Sequence, residues 1–346
     1  MAVYIGVDFH ARVQTISYLT TEDGAIQQVE LHHLKDDVRG FYQQFGGEVI
    51  VGFETSGYAY WFEEMLEELG HQVWIGDPAE IRRLARRRQK NDRRDADLIL
   101  ELMLRGDFPR LHRQSPESRQ VLQQLRYRQR LVKMRTMTIN TLRFMALSRG
   151  VSVRGHLSSR VSQERMKAVP LSLVLSQQRD ELLSLVQDLT LKIARAQQWL
   201  EQQARQDPQV RLVMTHPGLG PLTALCLVHT LSPINRFCNG RRVTGYVGLD
   251  PMEDSSAARQ RFGSISKQGS RLLRFFLVEA GQVALRKDAD LARFYKRVWL
   301  RRGHAKAKVA VGRRLLVRAF IMLRDEIDYA EFKRRGVAAW SSRATA

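Results

Sequence analysis

Two aspartates three residues apart, in Lys90-Asn91-Asp92-Arg93-Arg94-Asp95-Ala96, form the pair whose type and spacing suit chemistry most directly. The residues after them, Leu98, Ile99, Leu102 and Met103, recur at helical spacing. Positions i and i+3 share a helix face, so Asp92 and Asp95 point the same way. Like charges side by side repel unless something positive stands between them. Arg93 and Arg94 point elsewhere on such a helix. A hard divalent cation fills that place, and Mg²⁺ takes one or two carboxylates together with phosphate oxygens. A solvated helix start, with Asp92 favoured by the helix dipole, explains the pair without a metal. Two further acids end apolar runs: Asp8 closes Val3-Tyr4-Ile5-Gly6-Val7-Asp8, and Glu54 closes Glu48-Val49-Ile50-Val51-Gly52-Phe53-Glu54. Asp8, Glu54, Asp92 and Asp95 brought together would make a two-metal site for phosphoryl transfer.

The elements that must position these acids read as an α/β order. Val3 to Asp8, Val13 to Leu19 and Ala25 to Leu31 predict three strands, the last two joined at the turn Glu22-Asp23-Gly24. A helix over 36–45, the strand ending on Glu54, a helix over 60–69 and a strand over 71–75 follow, and Pro78 opens the helical region that carries the Asp pair. A three-stranded meander followed by crossover units lets the first and fourth strands lie side by side. Ligands gather at strand C-terminal ends in such sheets, which is where Asp8 and Glu54 fall.

Charge divides the chain unevenly. Residues 1–80 hold 3 Lys/Arg against 14 Asp/Glu, a net of −11, which leaves 53 against 22, a net of +31, for residues 81–346. A basic remainder of that size implies a polyanion partner. From Leu122 to Leu147 a predicted helix carries Arg126, Arg128, Arg130, Lys133, Arg135 and Arg143, of which Arg126 and Arg130 are candidate phosphate contacts. Residues 151–205 read as a connector. Leu182, Leu189 and Ala196, with Val186, Ile193 and Leu200, make an a/d seam over about three heptads. The seam suits either a coiled coil between chains, hence a homo-oligomer, or a helix packed on its own chain.

In residues 206–346, His216-Pro217-Gly218-Leu219-Gly220-Pro221 has the form of a helix-hairpin-helix turn, in which Gly218 and Gly220 let backbone N–H groups approach a phosphate. Ser255 and Ser256 stand among Arg259, Arg261, Lys267, Arg271 and Arg274, a charge density that suits a phosphate. Cys226 and Cys238 have no metal-like spacing and read as reduced thiols of a cytoplasmic, nucleoid-associated protein. No run reaches the roughly 18 apolar residues of a membrane span, and Met1–Gly6 leads straight into a strand with no secretory leader.

Asp, Glu and Asp-x-x-Asp in this order resemble the ribonuclease H-like fold in its RuvC-type form. Taken with Glu54-Thr55-Ser56-Gly57, Pro217-Gly218-Leu219-Gly220-Pro221, Tyr246-Val247-Gly248-Leu249 and Ser264-Ile265-Ser266-Lys267-Gln268-Gly269, nearly the whole chain resembles the bridge-RNA-guided insertion-sequence transposases, the family numbered one hundred and ten. The resemblance implies a RuvC-like DEDD domain over 1–150, a helical coiled-coil connector over 151–205 and a serine transposase domain over 206–346. It implies an Mg²⁺-dependent recombinase that cuts and rejoins donor and target DNA under a structured RNA. The protein would assemble from dimers into a tetramer, the acids of one subunit meeting the nucleophile, Ser255, of another. Where the family has Ser-Ser/Thr-Gly-Gly, this chain has Ser255-Ser256-Ala257-Ala258, and alanine resists backbone angles that glycine permits. A metal-dependent nuclease or junction resolvase using the four acids alone, and a catalytically impaired RNA- or DNA-binding protein, are the alternative readings.

Overall fold

The computed structural model describes residues 2–20, 24–85, 92–253 and 262–344. The chain divides into two compact units, residues 1–113 and 114–346.

The first unit is built on a five-stranded sheet. Its elements are β1 (Ala2–Phe9), β2 (Val13–Thr20), β3 (Ile26–His32), α1 (Val38–Gln43), β4 (Glu48–Glu54), α2 (Tyr60–Glu68), β5 (Gln72–Gly76), α3 (Pro78–Leu84) and α4 (Asp92–Leu104). The strands lie in the order β3-β2-β1-β4-β5; β1, β2 and β3 form an antiparallel meander, and β4 and β5 join parallel to β1.

Side chains alternate between the two faces of a strand, and here the faces have different work. Val3, Ile5, Val7 and Phe9 of β1 pack with Val49, Val51 and Phe53 of β4 against Tyr42 of α1 and Phe62 and Leu66 of α2. The even-numbered residues point the other way. Ile50 joins Ile99, Leu102 and Met103 of α4 and Ile81 of α3, with Tyr4 and Trp74 packed beside them. Burying β1 and β4 on both faces explains why their sequences read as nearly unbroken apolar runs.

The second unit is mostly helical: α5 (Pro116–Leu147), α6 (Arg160–Lys167), α7 (Leu173–Gln206), α8 (Pro208–Met214), α9 (Pro221–Leu231) and α10 (Gly240–Val247), then the strands β6 (Pro251–Glu253) and β7 (Phe262–Ile265), then α11 (Arg271–Ala284), α12 (Ala289–Arg302), α13 (His304–Arg324) and α14 (Tyr329–Ala344). The helix α5 belongs to this unit by compactness, although the sequence reading placed residues up to 150 with the sheet. The reason is its packing: Leu122 and Leu125 enter the core of α9, α11 and α13.

Along the rest of its length α5 pairs with α7. Leu142 meets Leu183 and Val186, Leu131 meets Leu189 and Ile193, and the core of Leu122 and Leu125 also holds Leu200 and Ala204. Rising numbers on α7 match falling numbers on α5, so the helices run antiparallel. The heptad seam of α7 is therefore filled by a helix of the same chain. Leu183 is buried where the heptad expected Leu182, which is only partly covered.

Candidate active site

Gly6 explains how the acidic helix meets the sheet. It pairs with Ser17 on one side and Gly52 on the other, and Ser17 pairs with Gln28. A Cβ on Gly6 would stand 2.6 Å from the Leu100 backbone nitrogen and 2.7 Å from the Ala96 carbonyl oxygen. The α4 backbone thus rests directly on β1. Over the next strands, Ser17 Oγ donates to Asp97 Oδ1 at 2.6 Å and Gln28 Nε2 donates to the same oxygen at 2.7 Å. Met103 covers Gly52 on the other side. The helix crosses the sheet from the meander toward β4, pinned by Asp97 at one end and Met103 at the other.

Asp8 lies two residues beyond Gly6, and Glu54 two beyond Gly52, so both fall on the face that α4 covers. The last paired positions of β1 and β4 are Val7 and Phe53, which makes Asp8 and Glu54 the next residues on adjacent parallel strands. Both are half-buried. Asp8 Oδ2 lies 3.2 Å from His10 Nε2. Asp95 is half-buried beside the fully covered Ala96, and Asp92 is the first residue of α4. The side chain of Asp92, like Lys90 and Asn91, lies outside the described residues. Among the described residues, no three His, Cys, Asp or Glu side chains stand together as ligands of one ion.

Asp97 and Gly6 were missed from the sequence. Asp97 belongs to the same acidic run, but its role depends on Ser17 and Gln28, far away in the chain. Gly6 carried a signal, a glycine inside a strand, which marks close approach of another backbone.

The second place of interest is a small hairpin in the second unit. Pro251 of β6 pairs with Ile265 of β7, and Glu253 with Phe262. Residues 254–261 join these strands and lie outside the described residues, and with them Ser255, Ser256, Ala257, Ala258, Arg259 and Arg261. The base of the hairpin is closely built. Ser266 Oγ donates to Asp250 Oδ1 at 2.6 Å, and the Ser266 N–H donates to the Asp250 carbonyl at 2.9 Å. Gly248 ends α10 at φ +74°, where a Cβ would strike the Gln268 carbonyl oxygen. Lys267 is exposed and holds φ +57°, uncommon for a residue other than glycine. Arg274 serves this base: its Nη1 donates to the Val247 and Gln268 carbonyls at 2.8 Å and to Gly269 at 3.3 Å. Burial, and then the neighbouring Arg271, lower its pKa. Arg274, expected as a phosphate contact, has its Nη1 committed to the backbone.

The expected helix-hairpin-helix turn divides similarly. Gly218 has φ +96°, and a Cβ there would meet the Ala280 carbonyl oxygen at 2.7 Å, so this glycine lets the turn pack on α11. Gly220 caps α9 and is exposed, with nothing within 4 Å of a Cβ built on it, while Pro221 and Leu222 after it are half-buried and Thr223 is buried. On α5, Arg126 and Arg130 are exposed one turn apart, on a helix holding one acid and seven bases.

Comparison with known proteins decides the family. A transposase model of the DEDD type found in IS110 elements matches residues 5–147, and the model of the transposase IS116/IS110/IS902 family matches residues 210–296. The chain belongs to the IS110 family of insertion-sequence transposases.

Similar relatives support that membership. A protein described as a probable family 20 transposase of Pseudomonas aeruginosa is 27% identical over 291 residues, 83% of this chain and 85% of that protein. The transposase for insertion sequence element IS1111A of Coxiella burnetii is 28% identical over 236 residues, 64% of this chain and 63% of its own length. The transposase for IS1328 of Yersinia enterocolitica is 27% identical over 245 residues, 69% and 71% respectively. The DEDD-type match runs from within β1 to the end of α5, close to residue 150, whereas compactness divides the chain after residue 113. The IS116/IS110/IS902 match spans α9, α10, the hairpin and α11. No helix among the described residues is long and apolar enough to cross a membrane.

Proposed function

We propose that this IS110-family transposase is an RNA-guided DNA recombinase that uses Asp8, Glu54, Asp92 and Asp95 with divalent metal, and Ser255 as nucleophile. The observation that carries the reading is the meeting of Asp8 and Glu54 at adjacent strand ends, on the face covered by the helix that begins with Asp92. The donor set fits a hard cation in kind, since all four candidates supply carboxylate oxygens. Mg²⁺, when bound there, would neutralise charge developing on the phosphate oxygens. The sheet fold is consistent with a RuvC-like domain: a meander whose first strand pairs in parallel with the fourth.

The protein's own residues then divide the chemistry. The Ser255 oxygen attacks the scissile phosphorus; the O–P bond of the serine forms as the P–O bond to the leaving strand breaks. The hydroxyl proton passes to a carboxylate or to water, and the leaving oxygen takes one up. A serine hydroxyl is weakly nucleophilic at neutral pH and needs such activation. Arg259, Arg261 and Lys267 stabilise the phosphate charge. The covalent phosphoserine keeps the bond energy for rejoining, which recombination needs and hydrolysis does not. His229, the nearest histidine before the serine loop in sequence, is engaged elsewhere: its Nδ1 lies 3.0 Å from Ser118 Oγ and its Nε2 3.7 Å from Asp207 Oδ2. The acids therefore serve as activators when a second subunit supplies them, in a tetramer built from dimers.

The test is Ser255→Ala protein incubated with guide RNA, donor DNA and target DNA, then denatured on a gel. The covalent protein–DNA species should vanish while RNA binding persists. Its persistence in Ser255→Ala and loss in Ser256→Ala would move the role to Ser256. Its absence from the unaltered protein would favour a nuclease of four acids or a binding protein.

A further inference from the structure

The carboxy-terminal helices α12, α13 and α14 line an open cavity of about 690 Å³, within the roughly 300–1,000 Å³ typical of small-ligand sites. Its lining has two characters. Arg293, Arg297, Arg314, Arg318 and Lys333 face it against a single acid, Asp290. Val317, Ile321 and Phe332 supply an apolar wall.

The cations are not equally free. Lys333 Nζ donates to Asp290 Oδ2 at 2.8 Å, and Arg293 pairs with the same carboxylate. Arg318 is bound to Asp288, a fully buried carboxylate that also accepts from Tyr329 and from the Leu291 N–H. That carboxylate ties the start of α12 to α13 and α14, so the cavity walls are held before any ligand arrives. Arg297 and Arg314 remain. Neither has a hydrogen-bonding or ion-pair partner among the described residues, and the Arg314 guanidinium lies 4.2 Å from the centre of the Phe294 ring. Burial, then repulsion from Arg318 and Arg297, lower the pKa of Arg314. Asp290 and Asp288 offset part of this charge, and cations crowded beyond what two carboxylates balance mark a place that an anion would relax.

We propose that this cavity holds one unpaired nucleotide of a single-stranded nucleic acid, its phosphodiester on Arg297 and Arg314 and its base against Val317, Ile321 and Phe332. Arginine forks suit phosphate oxygens, and an apolar wall with an aromatic ring accepts any base by its face. A duplex keeps its bases stacked inside and cannot offer one to the wall. The inference goes beyond the cutting chemistry proposed for the acids and the serine.

Binding is read in EDTA by fluorescence anisotropy on the full chain, so metal and strand exchange play no part. The probes are labelled eight-nucleotide strands of uridine, of deoxythymidine and of abasic deoxyribose phosphate, with a short DNA duplex as reference. Arg297→Ala/Arg314→Ala should weaken the base-bearing single strands at least about tenfold and flatten the salt slope by about 0.7, since both arginines hold one phosphate and a single-strand contact contributes ~0.7. The unaltered protein should bind the abasic strand more weakly than the base-bearing one, and the double variant should lose that difference. The polymer with the greater loss, RNA or DNA, names the source of the nucleotide. Equal losses for duplex and single strand, equal binding of abasic and base-bearing strands, or an unchanged double variant would each overturn the proposal. A melting temperature close to that of the unaltered protein shows that the variant is folded.

Discussion

His216 shows how a motif residue acquires a structural task. It opens the Pro217-Gly218-Leu219-Gly220-Pro221 turn and is 1% exposed. Its Nδ1 lies 2.9 Å from the Pro217 carbonyl, which only accepts, so Nδ1 carries the proton. Nε2 is then a buried acceptor with no partner among the described residues, and the ring packs 4.4 Å from that of Tyr329. Burial lowers the His216 pKa to about 4; the Pro217 carbonyl and Asp288 oppose this, and Arg318 and Lys333 add to it. The folded state prefers the neutral ring, so the contribution to stability is full above pH 6.5 and is lost as pH falls from 6.5 through about 4. The loss should reach about 3 kcal/mol. Urea melts between pH 7 and pH 4 should show this acid sensitivity, and His216→Gln should flatten it; an equal pH dependence in both proteins would contradict it. The sequence marks this segment as a tight turn but not the use made of its atoms. Gly218 and Arg274 looked like phosphate contacts by type, but one meets α11 and the other meets carbonyls, and neither partner is near enough in sequence to be read.

The α4 helix is the element that carries Asp92 and Asp95. Its seat is Gly6, where any side chain meets backbone atoms rather than a flexible neighbour. Gly6→Ala should therefore push α4 off β1 at a cost of roughly 1–3 kcal/mol. Strand exchange should fall by more than the loss of folded protein explains, because Asp92 and Asp95 travel with the helix. Thermal melts alongside rates at saturating DNA check this; a rate that simply tracks the folded fraction would separate α4 placement from chemistry. Gly52→Ala, which meets only the movable Met103 side chain, should be milder. The strands and their terminal acids were legible because alternation and apolar runs are local. The antiparallel pairing of α5 with α7 was legible only as a seam, since a heptad states that a partner exists without saying whose chain supplies it.

At the scale of the molecule, the acidic sheet and basic helical remainder are fixed by composition. The net +31 beyond residue 80 predicts nucleic-acid affinity that falls steeply between about 50 and 200 mM salt, as displaced counterions lose their entropic advantage. A nearly flat salt dependence in a filter-binding or anisotropy titration would contradict a phosphate-tracking surface. The family was legible in the order of its motifs; the compact division after residue 113 was not, because α5 packs with later helices that the sequence leaves unplaced. We propose that DNA is cut at the α4 face of the sheet. This is tested most directly by the strand-exchange rate of purified Glu54→Gln with guide RNA, donor and target DNA and Mg²⁺. The account predicts a fall of at least ~10²-fold, the order associated with losing a metal-linked contact, with nucleic-acid affinity and melting temperature retained. Exchange at the rate of the unaltered protein would contradict it.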